Sequence, residues 1–277
     1  MDYVSAKTIY TGKKVVSNAN LLFNGKKISG ISKTKRGRNL GKFDVLTPAF
    51  IDPHSHIGME RAGEPNSEGE ANEHRDSILA LTDALDSIQM DDKALRDAVE
   101  MGVLYSCVLP GSGNIIGGQS AVIRNYAGSS SRALIARAGL KGAFGFNPMK
   151  TIAWKGKRPT TRMGAIAMLR GRLDEVRQKI QKYRNARGSK KQDISFSAED
   201  KVLQNLLGGK MRLRAHVHKI DDIAALLRLV DEFKIKVTVD HAGDVHQSEI
   251  FRELKKRNIP VVYGPIDLFV YKVELKH

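Results

Sequence analysis

Short apolar runs divided by turn signals fill the first 46 residues. In KTIYTGKKVVSNANLLFNGKKISGIS the breaks fall at Thr11-Gly12, Asn24-Gly25 and Ser29-Gly30. Asn-Gly between two such runs is a strong hairpin signal, because the tight turn needs positive φ at its central residues. The pattern predicts a small β unit over residues 1–46, with no evident chemistry. From Val45 the pattern changes to strands alternating with helices. Strands are expected in VLTPAFID, VLYSCVLP, QSAVIRNY, LKGAFGF, MRLRAHVH, IKVTVDH and IPVVYG. Helices are expected in DDKALRDAVEMG, capped by Asp91 or Asp92 and stopped at Gly102, and in TRMGAIAMLRGRLDEVRQKIQKYRNA. Two more are expected in DDIAALLRLVDEF, where Ile223, Leu226, Leu227, Val230 and Phe233 recur at helical spacing after a cap at Asp221, and in SEIFRELKKRN.

Repeated strand–helix units of this length predict an α/β fold with a parallel sheet, over residues 47–277. A TIM-type (β/α) barrel is the first expectation and a doubly wound open sheet the second. Two long interruptions stand out. IGMERAGEPNSEGEANEHRDS is acidic and rich in Gly and Pro, and it follows the first strand, where a barrel's active-site loops emerge. ARGSKKQDISFSAEDKVLQNLLGGK reads as loop-like at its start.

Composition narrows the function classes. No apolar run approaches the ~18 residues of a membrane span, and no apolar signal-peptide core follows the N-terminus. The single cysteine, Cys107, excludes an internal disulfide. These features predict a cytoplasmic protein, with Cys107 a buried, inert thiol in its apolar run. The net charge is +16, which suits an anionic partner of some kind. Much of it lies in RGRLDEVRQKIQKYRNARGSKK, an amphipathic helix with Leu173, Val176 and Ile180 along one side. A solvated helix face accounts for that charge, and nucleic acid is not the expected partner, because aromatics are nearly absent from the basic stretches. A small-molecule substrate is expected, and a homo-oligomer is compatible with the sequence.

Six of the eight histidines fall in three pairs. His54 and His56 follow strand AFID; His216 and His218 end strand LRAHV; His241 and His246 flank the end of KVTVD. All three places are the C-terminal ends of expected parallel strands, which converge on one mouth in a barrel. Residues i and i+2 of a strand share a face, so both histidines of H-x-H can turn to one ion. Imidazole is the commonest ligand of zinc and similar metals, and a catalytic site keeps a position open for water. Within HVH one histidine suffices. His246 is more peripheral, and His74 in the acidic loop has nothing to fix it at the mouth.

LTPAFIDPHSHIGM resembles the opening strand of the metal-dependent amidohydrolase superfamily. PGSGNIIGGQSAVIR, TRMGAIAMLR, RAHVHKIDDIAALLRLVDEF and VDHAGDVH are similar to its imidazolonepropionase-related branch, in order over nearly the whole chain. The resemblance implies a small β-sandwich joined to a (β/α)8 barrel. It also implies hydrolysis of C–N bonds other than peptide bonds, of cyclic amide or deamination type, with one or two divalent metal ions, zinc first. His54 and His56 match the first-strand ligands and His218 the fifth-strand ligand, with His216 as alternate register. His241 matches the sixth-strand histidine, which binds metal or polarises substrate. Two departures follow. Phe146 stands where relatives of this branch carry a carboxylate, and a phenyl ring cannot coordinate a hard cation. The family's general-base Asp, on the eighth strand, has no counterpart, so the chain reads as truncated before the last barrel strand and no catalytic residue is assigned. Losing such a base costs roughly 10²–10⁴ in rate. The apolar patch at 268–270 would then need cover. Besides the hydrolase, an inactive metal-binding homologue and a basic nucleic-acid-associated protein remain as alternative functions.

Overall fold

The computed structural model describes residues 1–61 and 63–265. The chain divides into two compact units, Met1–Phe50 and Ile51–His277. In the first, β1 (Asp2–Tyr10), β2 (Val15–Asn24), β3 (Lys27–Ser32) and β4 (Arg38–Leu46) form a sheet of order β3-β2-β1-β4, with β1 antiparallel to β2 and parallel to β4. The Asn-Gly signal marks a two-residue hairpin. Asn24 pairs with Lys27, and Gly25 takes φ +58°. Ser29-Gly30 is not a turn. Gly30 lies inside β3, next to a register shift between Leu22 and Phe23, and marks an irregularity in the ladder. Ala6, Ile9 and Ala19 make this unit's small core.

From the boundary at Phe50 the chain continues with β5 (Phe50–Ser55), α1 (Ala84–Ser87), α2 (Lys93–Glu100), β6 (Val103–Val108), β7 (Ile116–Arg124), α3 (Ser130–Ala133), β8 (Leu134–Ala143) and α4 (Phe146–Met149). It continues with α5 (Arg162–Asn185), α6 (Ala198–Leu207), β9 (Arg212–Lys219), α7 (Ile220–Phe233), β10 (Lys236–Asp244), α8 (Ser248–Lys256) and β11 (Val261–Tyr263). Seven strands form one sheet in chain order, β5 through β11.

The all-parallel expectation is corrected at one strand: β7 runs antiparallel to both β6 and β8. The turns on either side are the cause. Parallel neighbours need a crossover of a dozen or more residues, and the links before and after β7 are shorter than that. Beyond β8 the sheet is parallel, and helices α5 to α8 supply the crossovers. Helix α6 was not legible as such; it occupies the second of the two long interruptions. Ser197 and Asp200 form a capping box at its start, and Leu203 and Leu206 are buried.

Strand alternation sorts the sheet's two faces. Leu213, Ala215 and Val217 of β9 and Val237 and Val239 of β10 pack with Leu169, Leu173 and Val176 of α5 and with Ile223 and Leu226 of α7. The intervening residues Arg214, His216, His218 and Asp240 face the other way, yet all are buried. The sheet curls to bury them. Arg214 Nη2 of β9 donates to the carbonyl of Pro53 on β5, at 2.8 Å, although β6, β7 and β8 separate those strands in the sheet.

Helix α5 carries its basic face as an ion-paired surface. Arg170 pairs with Glu232, Arg177 with Asp174, and both Arg172 and Lys179 with Asp200. Burial pushes the Asp200 carboxyl up. Lys179, Arg172 and the Ser197 amide outweigh that and hold it well below the usual carboxylate range. A carboxyl depressed in the folded state contributes stability above its unfolded pKa of about 4, and the contribution is lost as pH falls through the folded value. Asp200→Asn is therefore expected to destabilise the protein at pH 7 and to flatten its acid limb below pH 4. Urea midpoints measured from pH 7 to pH 2.5 check this. Parallel curves for variant and wild type would contradict it.

Candidate metal centre

The first histidines reach the site through local turn chemistry. Asp52 Oδ1 accepts from the His54 amide at 3.0 Å as β5 ends. Past His56, the Gly58 amide donates to Asp92 Oδ2 at 3.1 Å, while Asp92 Oδ1 caps α2 at Ala94. Asp92, rather than Asp91, is thus the cap, and it ties the helix to the loop after the histidines.

His216 and His218 share a face of β9, as the i, i+2 spacing requires. His241 needs more than spacing. Alternation places Asp240 on the site face and would send His241 into the helix layer with Val237 and Val239. Instead His241 takes φ +82° and Ala242 φ +51°, and the ladder with β9 shifts register between His241 and Asp244. A bulge of this kind re-aims a side chain, so two consecutive residues serve one site. Positive φ at a non-glycine residue costs on the order of 1–3 kcal/mol.

Five histidines meet as a result. The ring of His241 lies 4.5 Å from that of His54, 4.4 Å from His216 and 5.0 Å from His218 between centroids. His54 and His56 stand 5.5 Å apart. His216, His218 and His241 offer ligand atoms all within 4.8 Å of one another. The sequence places His246 at the periphery and gives His74 nothing to fix it at the mouth. The His246 side chain is 74% exposed beside Asp244, and His74 stacks on Trp154 at 3.7 Å. Phe146 opens α4 and contributes no oxygen ligand. The end of the chain and the patch at 268–270 lie outside the described residues.

Outer acceptors fix the imidazole tautomers. His54 Nδ1 donates to Asp240 Oδ2 at 2.8 Å, His56 Nδ1 to the Leu109 carbonyl at 2.7 Å, and His241 Nδ1 to the Gly264 carbonyl at 2.6 Å. An Nδ1–H on each ring leaves the Nε2 lone pair as the coordinating atom, the arrangement found around metal-bound histidines. Among the described residues, His241 Nε2 is buried with no hydrogen-bond partner. Burial and the neighbouring His54 hold His241 far below the ordinary imidazole pKa, so the ring is neutral. A buried, neutral, unpartnered imidazole nitrogen amid other imidazoles fits a borderline divalent cation.

Beneath this cluster lies a buried ion pair. Arg214 Nη2 sits 3.0 Å from Asp240 Oδ2, and Arg214 Nη1 donates to Cys107 Sγ at 3.2 Å. Burial pushes the Cys107 thiol up, which agrees with an inert cysteine. Burial also pushes the Asp240 carboxyl up, and Arg214 opposes it.

Lys141 of β8 was missed from sequence. It is fully buried, with Nζ 3.0 Å from His54 Nε2. One lone pair serves either this amine or an ion, so metal at His54 displaces the contact. The signal was a lysine inside an apolar strand, in GLKGAF, where lysine is almost never fully buried without a partner.

No family model matches the chain. The amidohydrolase tasK of Hapsidospora irregularis is 25% identical over 76% of this chain, which spans 23% of that relative's length. A crystal structure of an amidohydrolase from Thermotoga maritima MSB8 is 27% identical with a TM-score of 0.85, covering 100% of this chain and 73% of that one. The chain is thus similar to two amidohydrolases, to one in sequence and to the other in sequence and fold.

Proposed function

We propose that the chain is a metal-dependent hydrolase of the TIM-type barrel class, acting on C–N bonds other than peptide bonds, with cyclic amides or amidines as substrates. The buried His241 Nε2, unpartnered and ringed by His54, His216 and His218, carries this reading. Its support from known proteins is the likeness to two amidohydrolases. The finer placement in the imidazolonepropionase-related branch rests on the quoted sequence segments.

In this reading His54, His56, His218 and His241 hold the ion, zinc by preference for imidazole. When bound, a divalent ion would supply Lewis acidity toward a carbonyl oxygen or amidine nitrogen and would make a water molecule acidic near neutral pH. The protein's own groups orient the ligands. Asp240 and the carbonyls of Leu109 and Gly264 hold three rings in one tautomer. Asp240 is fully buried and shared between Arg214 and His54, so it positions a ligand and does not carry protons to substrate. A cytoplasmic setting suits the single reduced cysteine.

The test loads purified protein with zinc, cobalt or manganese and measures bound metal by mass spectrometry. It then assays lactams, hydantoin-type rings, imidazolones and cyclic amidines before and after chelation. Bound metal, with turnover lost on chelation and restored by metal, is the expected result. Failure to retain any of these ions would overturn the proposal.

A further inference from the structure

HVH presents two histidines on one face of β9, and the spacing treats them as equals. The structure does not. Strand β8 ends at Ala143, and the Phe144 amide donates to the His216 carbonyl at 2.9 Å. Gly145 then takes φ +83°, ψ −143°, a conformation essentially restricted to glycine. This turn places the Asn147 side chain over β9. Asn147 Nδ2 lies 2.9 Å from His216 Nε2 and 2.7 Å from Ser112 Oγ. Ser112 sits between Gly111 and Gly113 in the β6–β7 turn, and that turn is clamped. The Gly113 amide donates to Asn72 Oδ1 at 2.8 Å and the Gly111 amide to the Ala71 carbonyl at 2.6 Å. An added Cβ on Gly111 would meet Asn72 at 2.2 Å.

An amide nitrogen can only donate. His216 Nε2 must therefore accept, which places the His216 proton on Nδ1 and commits the Nε2 lone pair to Asn147. Among the oriented rings, His241 Nε2 is buried with no hydrogen-bond partner among the described residues and His54 Nε2 faces the Lys141 amine; His216 Nε2 is turned to a side-chain amide.

We propose that Asn147, held by Ser112, is a positioning residue that fixes His216 as the neutral Nδ1–H tautomer and withdraws its Nε2 from the metal-ligand set, so that His218 is the ligand contributed by β9. His216 is then kept beside the ion as a neutral imidazole with one N–H. The ligand choice rests on the proposed metal centre, whereas the tautomer does not.

The two parts are separable by nitrogen NMR of the full chain labelled with ¹⁵N-histidine. In metal-free protein His216 is expected to show a protonated Nδ1 and an unprotonated Nε2. Asn147→Asp supplies a carboxylate that can only accept, so the proton should move to Nε2 and the two nitrogen shifts should exchange. Cadmium-113 then serves as the probe ion. Its scalar coupling is expected to a nitrogen of His218 and to none of His216, and His216→Gln should retain cadmium affinity within about threefold. A wild-type His216 with its proton on Nε2 overturns the positioning role of Asn147, whether or not metal binds. Direct cadmium coupling to His216 overturns the ligand assignment. If Asn147→Asp does not fold, the wild-type tautomer alone decides the first part.

Discussion

His241→Ala is expected to lower zinc affinity by more than about 100-fold, since loss of an outer-sphere partner alone costs about 10–100-fold at such sites. Three observations converge on this side chain. Its Nδ1 is anchored to the Gly264 carbonyl, its Nε2 is buried and unpartnered among the described residues, and its backbone is turned to φ +82° to bring the ring round. The last point adds a second expectation. His241→Gly also loses the metal, but glycine adopts positive φ without a Cβ penalty. The metal-free glycine variant should therefore be at least as stable as the metal-free alanine variant, by about 1 kcal/mol. Chelator competition with zinc measures affinity, and urea unfolding of metal-free protein measures stability. Full zinc affinity in either variant would remove His241 from the centre.

Arg214→Met is expected to destabilise the protein by about 3–5 kcal/mol, the usual cost of breaking a buried pair and leaving one charge uncompensated. Arg214 is a strut. It reaches Asp240 on β10, Cys107 on β6 and the Pro53 carbonyl on β5 from its place on β9. Removing it strands a fully buried carboxylate whose other partner is His54. Arg214→Lys should recover only part of the loss, because a single ammonium cannot reproduce a planar fork with three separate acceptors. Equilibrium urea unfolding gives the figure, and a loss below about 1 kcal/mol would show that Arg214 is dispensable to the curl of the sheet. The metal centre should weaken in step, since Asp240 would no longer be held against His54 Nδ1.

The amino-acid sequence determined a good deal about this protein. Alternating apolar strands and capped helices defined an α/β chain with a β unit before it. The i, i+2 spacing of His54 with His56, and of His216 with His218, set each pair on one face of a strand, because a strand repeats every two residues. The placing of three histidine groups at strand ends pointed to one centre. What spacing could not convey was direction where the strand departs from regularity. Regular alternation would bury His241 in the helix layer, and a bulge turns it to the centre. Periodicity could not reveal that β7 reverses, because short turns on both sides decide it and a half-apolar strand reads alike in either direction. Lys141 stands out in the sequence only as a lysine in an apolar strand, and Asp240 does not stand out at all. Their importance comes from the curl that carries β5 past three strands to meet β9 and β10, a contact between residues as far apart in sequence as His54 and Asp240. HVH shows the division most plainly. Its spacing makes two equivalent histidines, and only the tertiary structure, by swinging Asn147 around Gly145 onto His216 Nε2, makes them different, because a lone pair accepts one partner at a time.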